Sequence, residues 1–509
     1  MLIFDIITLQ IVPVLFKGIY KINRKQMIKS KVIDSLKKLN KDELKEFSEF
    51  VNSPFYNKNK NVTALLGAIK KYWPGFENRN FTKENIYAIL FPANEYADKT
   101  IRNLMSDLYS LLAKYLTVKN LEKRKLLSKY LLISALEERA LLKQAEHNIE
   151  EAGEILKQEP FDGGNVFYFN HLIEMEKDYI QIYRNKLIGL NMKEGEYLIY
   201  AFFAKYMAFK MKSINYRHKN ESEKLSEFIS EFEQKVDLDK WIEYLELTGG
   251  FEAEVILTYY YTTRFMSDLN DSVSFNRALE LFYKHKSRID RTETTNLYLT
   301  FTGYCAVKIS KGEKKYNKTL FELYERMFEE NLLMNENEQH LHITIYNNIV
   351  TSALSLGKND WTKSFIDKFA DKLLPEFRDS MYNYTVSRYY FAVGKFETSL
   401  EHLSRVTNDN YWVRSRSKIL QLRIYYELGH IDSFLSLYDA IKHSLKTDKQ
   451  LPGRERDNDE VFIGLLHRLL KVKLKESTED IEAIRIEADK SLKGQLHEWM
   501  SIKICEISH

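Results

Sequence analysis

Gly394 and Gly429 lie 35 residues apart, and each separates two runs of aromatic and aliphatic residues. In the first of these units, Val386, Tyr390, Phe391 and Val393 lead up to Gly394. Glycine accepts a positive φ at no Cβ cost, which is what the end of a helix asks for. Beyond it, Phe396, Ser399, Leu400, Leu403 and Val406 recur at spacings of three and four, so they share one helical face. The spacing predicts a helix, a tight turn and a second helix over Met381–Val406, and the same again around Gly429. A chain built from such couples can bury its apolar faces only by stacking each couple on the next.

The second helix carries a compact signature, Phe396-x2-Ser399-x3-Leu403. The ring fills space between helices, the small residue permits close approach, and the last apolar residue seals the face. The signature recurs as Phe275, Ala278, Phe282; as Tyr316, Thr319, Leu323; and as Ile431, Phe434, Tyr438, with a large residue in the small place. Trp361 and Ser364 begin a further copy, in which Lys368 stands where an apolar residue is expected and Phe365 and Phe369 take over. Successive starts are 41, 45, 35 and 35 residues apart. A helix–turn–helix period near 34 residues marks the tetratricopeptide repeat, and its helical relatives extend to about 47. From Phe251 to Leu445 these units resemble degenerate tetratricopeptide repeats. Val386 and Ser387 stand where that family has Leu–Gly, and its closing Pro is absent after Val406. The resemblance implies an all-α helical-hairpin repeat, an α-solenoid whose surface binds a protein or peptide. The competing reading is an irregular helical bundle.

Composition agrees with helices. The 509 residues include only 18 Gly and 7 Pro, far below the usual shares of about 7% and 5%. There are 33 Tyr and 30 Phe to fill the space between hairpins. Basic and acidic residues nearly balance, 76 against 72, so net charge makes no case for nucleic acid. Cys305 and Cys505 are distant from one another, which suits a reducing compartment and excludes a disulfide framework.

The chain divides, on pattern, into five parts. Residues 1–26 form an apolar leader with Asp5, Gln10 and Pro13 inside it, shorter than the ~20 residues of a spanning helix. It reads as a poorly ordered leader, a membrane-surface segment, or the product of an upstream start codon. The last is preferred, because a regular pattern begins at Met27. Residues 27–119 form a helical module. Asn40 and Glu43 give a capping box, Ser53-Pro54 stops that helix, Val62–Trp73 is a second, Thr82 caps Lys83–Leu90, and Asp98 caps a long helix through Tyr115. Residues 120–250 are divergent hairpins, with a loop at Pro160–Asn165, helices at Phe167–Ile188 and Glu194–Ile214, a continuing pattern over Leu225–Leu247, and a break at Gly249-Gly250. Residues 251–446 hold the tetratricopeptide-like repeats, and 447–509 a linker with capping helices.

In the N-terminal module, Phe81-Thr82-Lys83-Glu84, Ile86, Leu90-Phe91-Pro92, Ile101-Arg102-Asn103-Leu104 and Leu108 are similar to the helix pair of winged-helix domains in bacterial activators. That resemblance covers about 40 residues. It implies a DNA-binding regulator with a repeat sensor domain, the second helix entering the major groove through Lys99, Arg102, Asn103 and Ser106. No strand–turn–strand wing follows Leu116; Leu121–Leu142 reads as further helix.

No phosphate-cradling glycine motif, His-Glu-x-x-His or Gly-x-Ser-x-Gly occurs. His340 and His342, with Glu338 nearby, are two apart and do not share a helix face. The pairs Glu137-Glu138 and Glu329-Glu330 read as solvated surface. No catalytic residue, cofactor or metal is expected. Two basic–aromatic clusters remain: Tyr206, Lys210, Tyr216 and Arg217, and Tyr411, Trp412, Arg414 and Arg416, the latter extending to Lys418 and Arg423. Their first reading is hairpin packing, then a protein partner, then nucleic acid. The expectation is a cytoplasmic, non-enzymatic scaffold that binds a protein or peptide, with nucleic acid a lesser possibility and no integral membrane association.

Overall fold

The computed structural model describes residues 28–184, 189, 191–219, 225–334, 340–407, 411–447, 453–492 and 494–508. The expected leader, Glu338 and residues 449–452 lie outside the described residues; the rest of the polar stretch expected to be a flexible insertion, Lys449–Glu460, is helical from Gly453, its charged residues forming the first turns of a helix whose later turns are apolar. Among those residues the fold is all-α, with 24 α-helices and no strand; one isolated parallel bridge joins Phe161 to Ile289. The chain forms two compact units. Among the described residues, one comprises 28–159 together with Phe169–Gly195; the other comprises Pro160–Tyr168 and those from Glu196 onward.

The first unit begins with α1 (Lys31–Leu36), α2 (Lys41–Asn52), α3 (Lys60–Lys70), α4 (Lys83–Leu90) and α5 (Asp98–Lys123). Asn40 accepts from the backbone N–H groups of Asp42 and Glu43 at 2.9 Å, and Glu43 reaches back to the Asn40 N–H, so the capping box forms as its spacing predicts. Thr82 caps α4 through the Asn85 N–H. The expected Asp98 cap does not form. Ala97 takes the N-cap position and offers no side-chain bond. Asp98 instead begins the helix, where its carboxylate receives Lys83, Arg102 and Tyr96 at 3.0, 2.8 and 3.0 Å. Three charged or polar donors outbid one backbone N–H. Ile101, Leu104, Met105, Leu108, Leu111, Leu112 and Tyr115 all lie buried on one face of α5. They close a core with Phe47, Leu65, Ile69 and Phe81.

Where a wing would need strands, the chain continues as α6 (Lys125–Glu137) and α7 (Leu142–Gln158), which pack together, and then α8 (Asn165–Tyr183). Arg184 grips Glu146 of α7 through two parallel bonds of 2.9 and 2.8 Å. Glu137 is not solvated surface. It is half-buried against Glu176 of α8, which is itself buried.

The second unit opens with α9 (Met192–Lys219), α10 (Glu227–Lys235) and α11 (Leu238–Thr248). The pattern over 225–247 is thus two helices, parted at Val236 with Asp237 capping α11 through the Lys240 N–H. Gly249 and Gly250, both at positive φ, make the expected break. Then come couples: α12 (Phe251–Ser267) with α13 (Ser272–His285), α14 (Arg291–Ser310) with α15 (Tyr316–Glu329), α16 (Ile343–Ser355) with α17 (Asn359–Phe369), α18 (Pro375–Ala392) with α19 (Phe396–Ser404), and α20 (Tyr411–Leu428) with α21 (Ile431–Thr447). The chain closes with α22 (Gly453–Lys473), α23 (Ile481–Ser491) and α24 (Gly494–Ser508).

Four of the five couples, all but α12 with α13, fold back at a turn with one recurring bond. At Gly394, φ is 76° and the Lys395 N–H reaches the Tyr390 carbonyl at 2.9 Å. At Gly429, φ is 69° and the His430 N–H reaches Tyr425 at 3.0 Å. This is the six-to-one bond of a glycine-ended helix. The same bond closes α14 beyond Gly312 and α16 beyond Gly357.

The signature is wholly buried in one copy, Phe275, Ala278 and Phe282; in the other two Ser399 and Leu403, and Phe434 and Tyr438, are buried, but the leading Phe396 is half-buried and the leading Ile431 is exposed, because each sits at the start of its helix beside the turn. Phe275 stacks on Tyr304 at 4.5 Å and meets Phe265, Phe301 and Tyr316, so rings do fill the space between couples. In the Tyr316 copy the two large residues are buried and Thr319 is half-buried. The Trp361–Ser364 frame needs correction. Ser364 is exposed, and Thr362 and Ile366, both 0% exposed, hold the buried small and apolar places. Thr362 stands as far beyond Gly357 as Ser399 does beyond Gly394, so the frame is set from the turn and not from the nearest aromatic residue.

Contacts also run between couples. The second helix of one touches the first helix of the next at α15–α16, α17–α18, α19–α20 and α21–α22. First helices touch directly as well: α12 with α14, α16 with α18, α18 with α20, and α20 with α22.

Candidate interaction surface on the first-helix face

Because α16, α18 and α20 lie side by side, residues spaced by three and four on each come together on one face. Asn347 and Thr351 come from α16; Tyr384, Arg388 and Phe391 from α18; Arg423 and Glu427 from α20. Arg388 donates to Asn347 Oδ1 at 2.9 Å and Thr351 Oγ1 at 3.0 Å, with the Tyr384 ring 5.7 Å from its guanidinium. A third bond, 3.3 Å, goes to Gln495 Oε1 of α24. Every one of these acceptors is neutral.

Arg423 lies over two rings, Phe391 at 4.3 Å and Trp499 of α24 at 4.8 Å. Its buried Nε finds no hydrogen-bond acceptor. Burial first, and the nearby Arg388 charge second, lower its pKa to about 9, so it stays charged at neutral pH. Glu427 answers with one carboxylate, which accepts from the Trp499 indole N–H and from Lys503 Nζ, both at 2.9 Å. Burial alone would lower the Lys503 pKa; hydrogen bonds to Glu506 and Glu427 outweigh it and raise it. Arg388, Arg423 and Lys503 therefore share a partly desolvated region in which Glu427 is spent on Lys503 and the indole.

The residues singled out from sequence are distributed differently. Tyr206 and Lys210 of α9 converge on Glu233 of α10, at 2.8 and 3.4 Å, and Tyr206 packs edge-on to Phe232. Burial, then the Glu233 carboxylate, push the Tyr206 hydroxyl pKa upward. Tyr216 and Arg217 are exposed farther along α9. Tyr411 and Trp412 begin α20, but their side chains are outside the described residues. Arg414 is half-buried, and Arg416 makes a two-pronged pair with Asp459 at 3.0 and 2.9 Å. In the first unit Lys99, Arg102, Asn103 and Ser106 are exposed on α5, with Arg102 held by Asp98. His342 is the N-cap of α16, accepting from the Thr344 N–H through Nδ1.

Comparison with known protein families, curated proteins and solved structures finds nothing similar to this chain. Arg388 escaped sequence reading because it sits among Tyr and Ser in a helix whose apolar periodicity is faint. Arg423 was legible only as the tail of a basic cluster. The signal that locates both is the register of the first helices, counted back from Gly394 and Gly429. Among the described residues, no helix is long and apolar enough to cross a membrane.

Proposed function

We propose that α12 to α21 form a tetratricopeptide-like stack and that its first-helix face binds a segment of another protein. The chain then acts as a cytoplasmic scaffold without catalysis. The observation that carries this reading is the Arg388–Phe391–Arg423 group. Two guanidiniums with few charged partners lie beside the half-buried Phe391 ring on adjoining helices. Arginine and aromatic side chains in partly dry settings supply most of the energy at protein interfaces. Solenoids present such faces as extended ligand surfaces.

The test is affinity capture from the source cells with the full chain and with the Arg388→Ala, Arg423→Ala double variant. A partner held by the native chain and lost from the double variant supports the face. A partner retained by the double variant and lost with Arg102→Ala, together with a salt-dependent shift of random duplex DNA, would move function to α5 and the regulator reading.

A further inference from the structure

The first-helix face is already occupied by a helix of the same chain. Gln495, Trp499 and Lys503 follow one another at i, i+4 and i+8, a single side of α24. That side addresses four earlier helices. Gln495 bonds Arg388 of α18 and donates to the Thr351 carbonyl of α16, 144 residues back in the chain, at 3.4 Å. Trp499 meets Phe391 of α18, Tyr426 of α20 and Phe462 of α22, with Arg423 over its ring. Lys503 pairs with Glu427. Glu498 extends the line to Lys314, at the turn between α14 and α15, at 3.1 Å. The neighbouring side of α24, Met500 and Ile504, is apolar and shares with Trp499 the core made with α22 and α23.

A helix that merely ends a stack need cover only the last couple. This one runs back across the first helices of several, where it meets Arg388, Glu427 and Lys314 through polar bonds of 3.3, 2.9 and 3.1 Å and seats the buried Trp499 ring against Tyr426 and Phe462. Resting on the reading of this face as a ligand surface, we infer that α24 is a tethered occupant of a helix-binding groove. The groove's external ligand is an amphipathic helix with a carboxylate in the place of Gln495 and an aromatic residue four positions later. The carboxylate follows from Arg388. Its charge is met by three neutral oxygens, whereas a carboxylate would add an opposite charge and can accept two parallel bonds from one guanidinium. The aromatic residue follows from Arg423, which requires a ring on its α24 side to replace the one it has. Binding of such a helix displaces α24, so the chain's own tail sets the threshold for its partner.

The probe is a fluorophore-labelled synthetic peptide of residues 494–508 carrying Gln495→Glu, titrated into full-length chain and read by anisotropy. Trp499→Ala in the full chain removes the tethered anchor and is expected to bind the probe at least tenfold more tightly than the native chain. Adding Arg388→Ala in that background is expected to cancel the gain. Gln495→Glu in the full chain strengthens the tethered helix and is expected to weaken probe binding at least threefold. Equal affinity across the native, Trp499→Ala and Gln495→Glu chains overturns the inference, as does a gain indifferent to Arg388→Ala. Should Trp499→Ala fail to fold, the native against Gln495→Glu comparison decides, together with hydrogen exchange. Faster exchange of 494–508 on adding the probe supports displacement, and unchanged exchange overturns it. A cellular partner captured equally by the native and Gln495→Glu chains, yet lost from the double-arginine variant, would leave the ligand surface standing and remove the tethered occupant.

Discussion

Ser387 of α18 and Ser399 of α19 lie with their hydroxyl oxygens 2.9 Å apart, both side chains wholly shielded from solvent. Ser399 also donates to the Ser387 carbonyl at 2.7 Å. This contact sets how closely the two helices of the couple approach. Two small residues meet where the helices cross, and their hydroxyls satisfy each other in place of water. Ser399→Ala is expected to cost about 1 kcal/mol, the net value of a hydrogen bond. Ser399→Leu forces the helices apart and is expected to cost about 3 kcal/mol, the upper end of overpacking. Ser404→Leu, on the exposed side of α19, is the control and should stay within about 0.5 kcal/mol. Urea unfolding of the three variants measures the difference.

Most of the hairpin architecture was legible because glycine and helical periodicity are local signals. Gly394 and Gly429 end helices for a backbone reason that any neighbour leaves intact, and Asn40 with Glu43 caps α2 by spacing alone. The Trp361 frame failed because it was read from the largest ring. Trp361 does pack, flat on Phe365 at 5.4 Å, but from the side of α17 and not from the signature position. Asp98 failed because its competing partners, Lys83 and Tyr96, depend on how α4 meets α5. The first-helix face was illegible for a related reason: Arg388 acquires its meaning from Gln495, 107 residues away. The corrected frame makes its own prediction. Thr362→Leu should destabilise by about 1–3 kcal/mol, whereas Ser364→Leu should be within about 0.5 kcal/mol of the native chain. Equal losses at the two positions would restore the Trp361 frame.

Gly394 gives a purely conformational test. A Cβ there meets nothing within 4 Å, so Gly394→Ala creates no clash. Its φ of 76° remains left-handed, which costs a residue with a side chain about 1–2 kcal/mol. The expected loss is therefore of that size, and it should appear almost unchanged for Gly394→Ser and be smaller for Gly394→Asn, which tolerates this region. Melting curves of the three variants rank them. An alanine variant as stable as the native chain would mean that the turn relaxes to another geometry.

The Glu137–Glu176 contact makes the first unit sensitive to pH. Burial first, and the Glu176 carboxyl second, raise the Glu137 pKa from 4.5 to about 8. The folded chain thus keeps a proton that the unfolded chain releases near the ordinary carboxyl value. Between those two values folding takes up a proton, so stability falls as pH rises through the window and is fully present below it. One proton changes stability by at most about 1.4 kcal/mol per pH unit, and the partial exposure of Glu137 reduces that. Glu137→Gln donates permanently to Glu176 and carries no charge. Its melting temperature should exceed that of the native chain at pH 8, and the two should converge at pH 5. Parallel curves across the window would show that the pair holds no shared proton.

Arg416 separates an internal role from an external one. It was a candidate for partner binding, yet its guanidinium takes both oxygens of Asp459, a side chain with 0% exposure. Removing one member of a buried pair leaves the other charge in a medium that solvates it poorly, at a cost of about 3–5 kcal/mol. Arg416→Met is therefore expected to destabilise the second unit by that amount. Replacing both, Arg416→Met with Asp459→Leu, removes the buried carboxylate as well and should recover most of the loss, because apolar pairs of similar volume often match buried ion pairs in stability. Denaturant midpoints of the native chain, both single variants and the double variant give the coupling between the two residues. A coupling near zero, with Arg416→Met as stable as the native chain, would release Arg416 from the core of α20 and α22 and return it to the surface as a contact for another molecule.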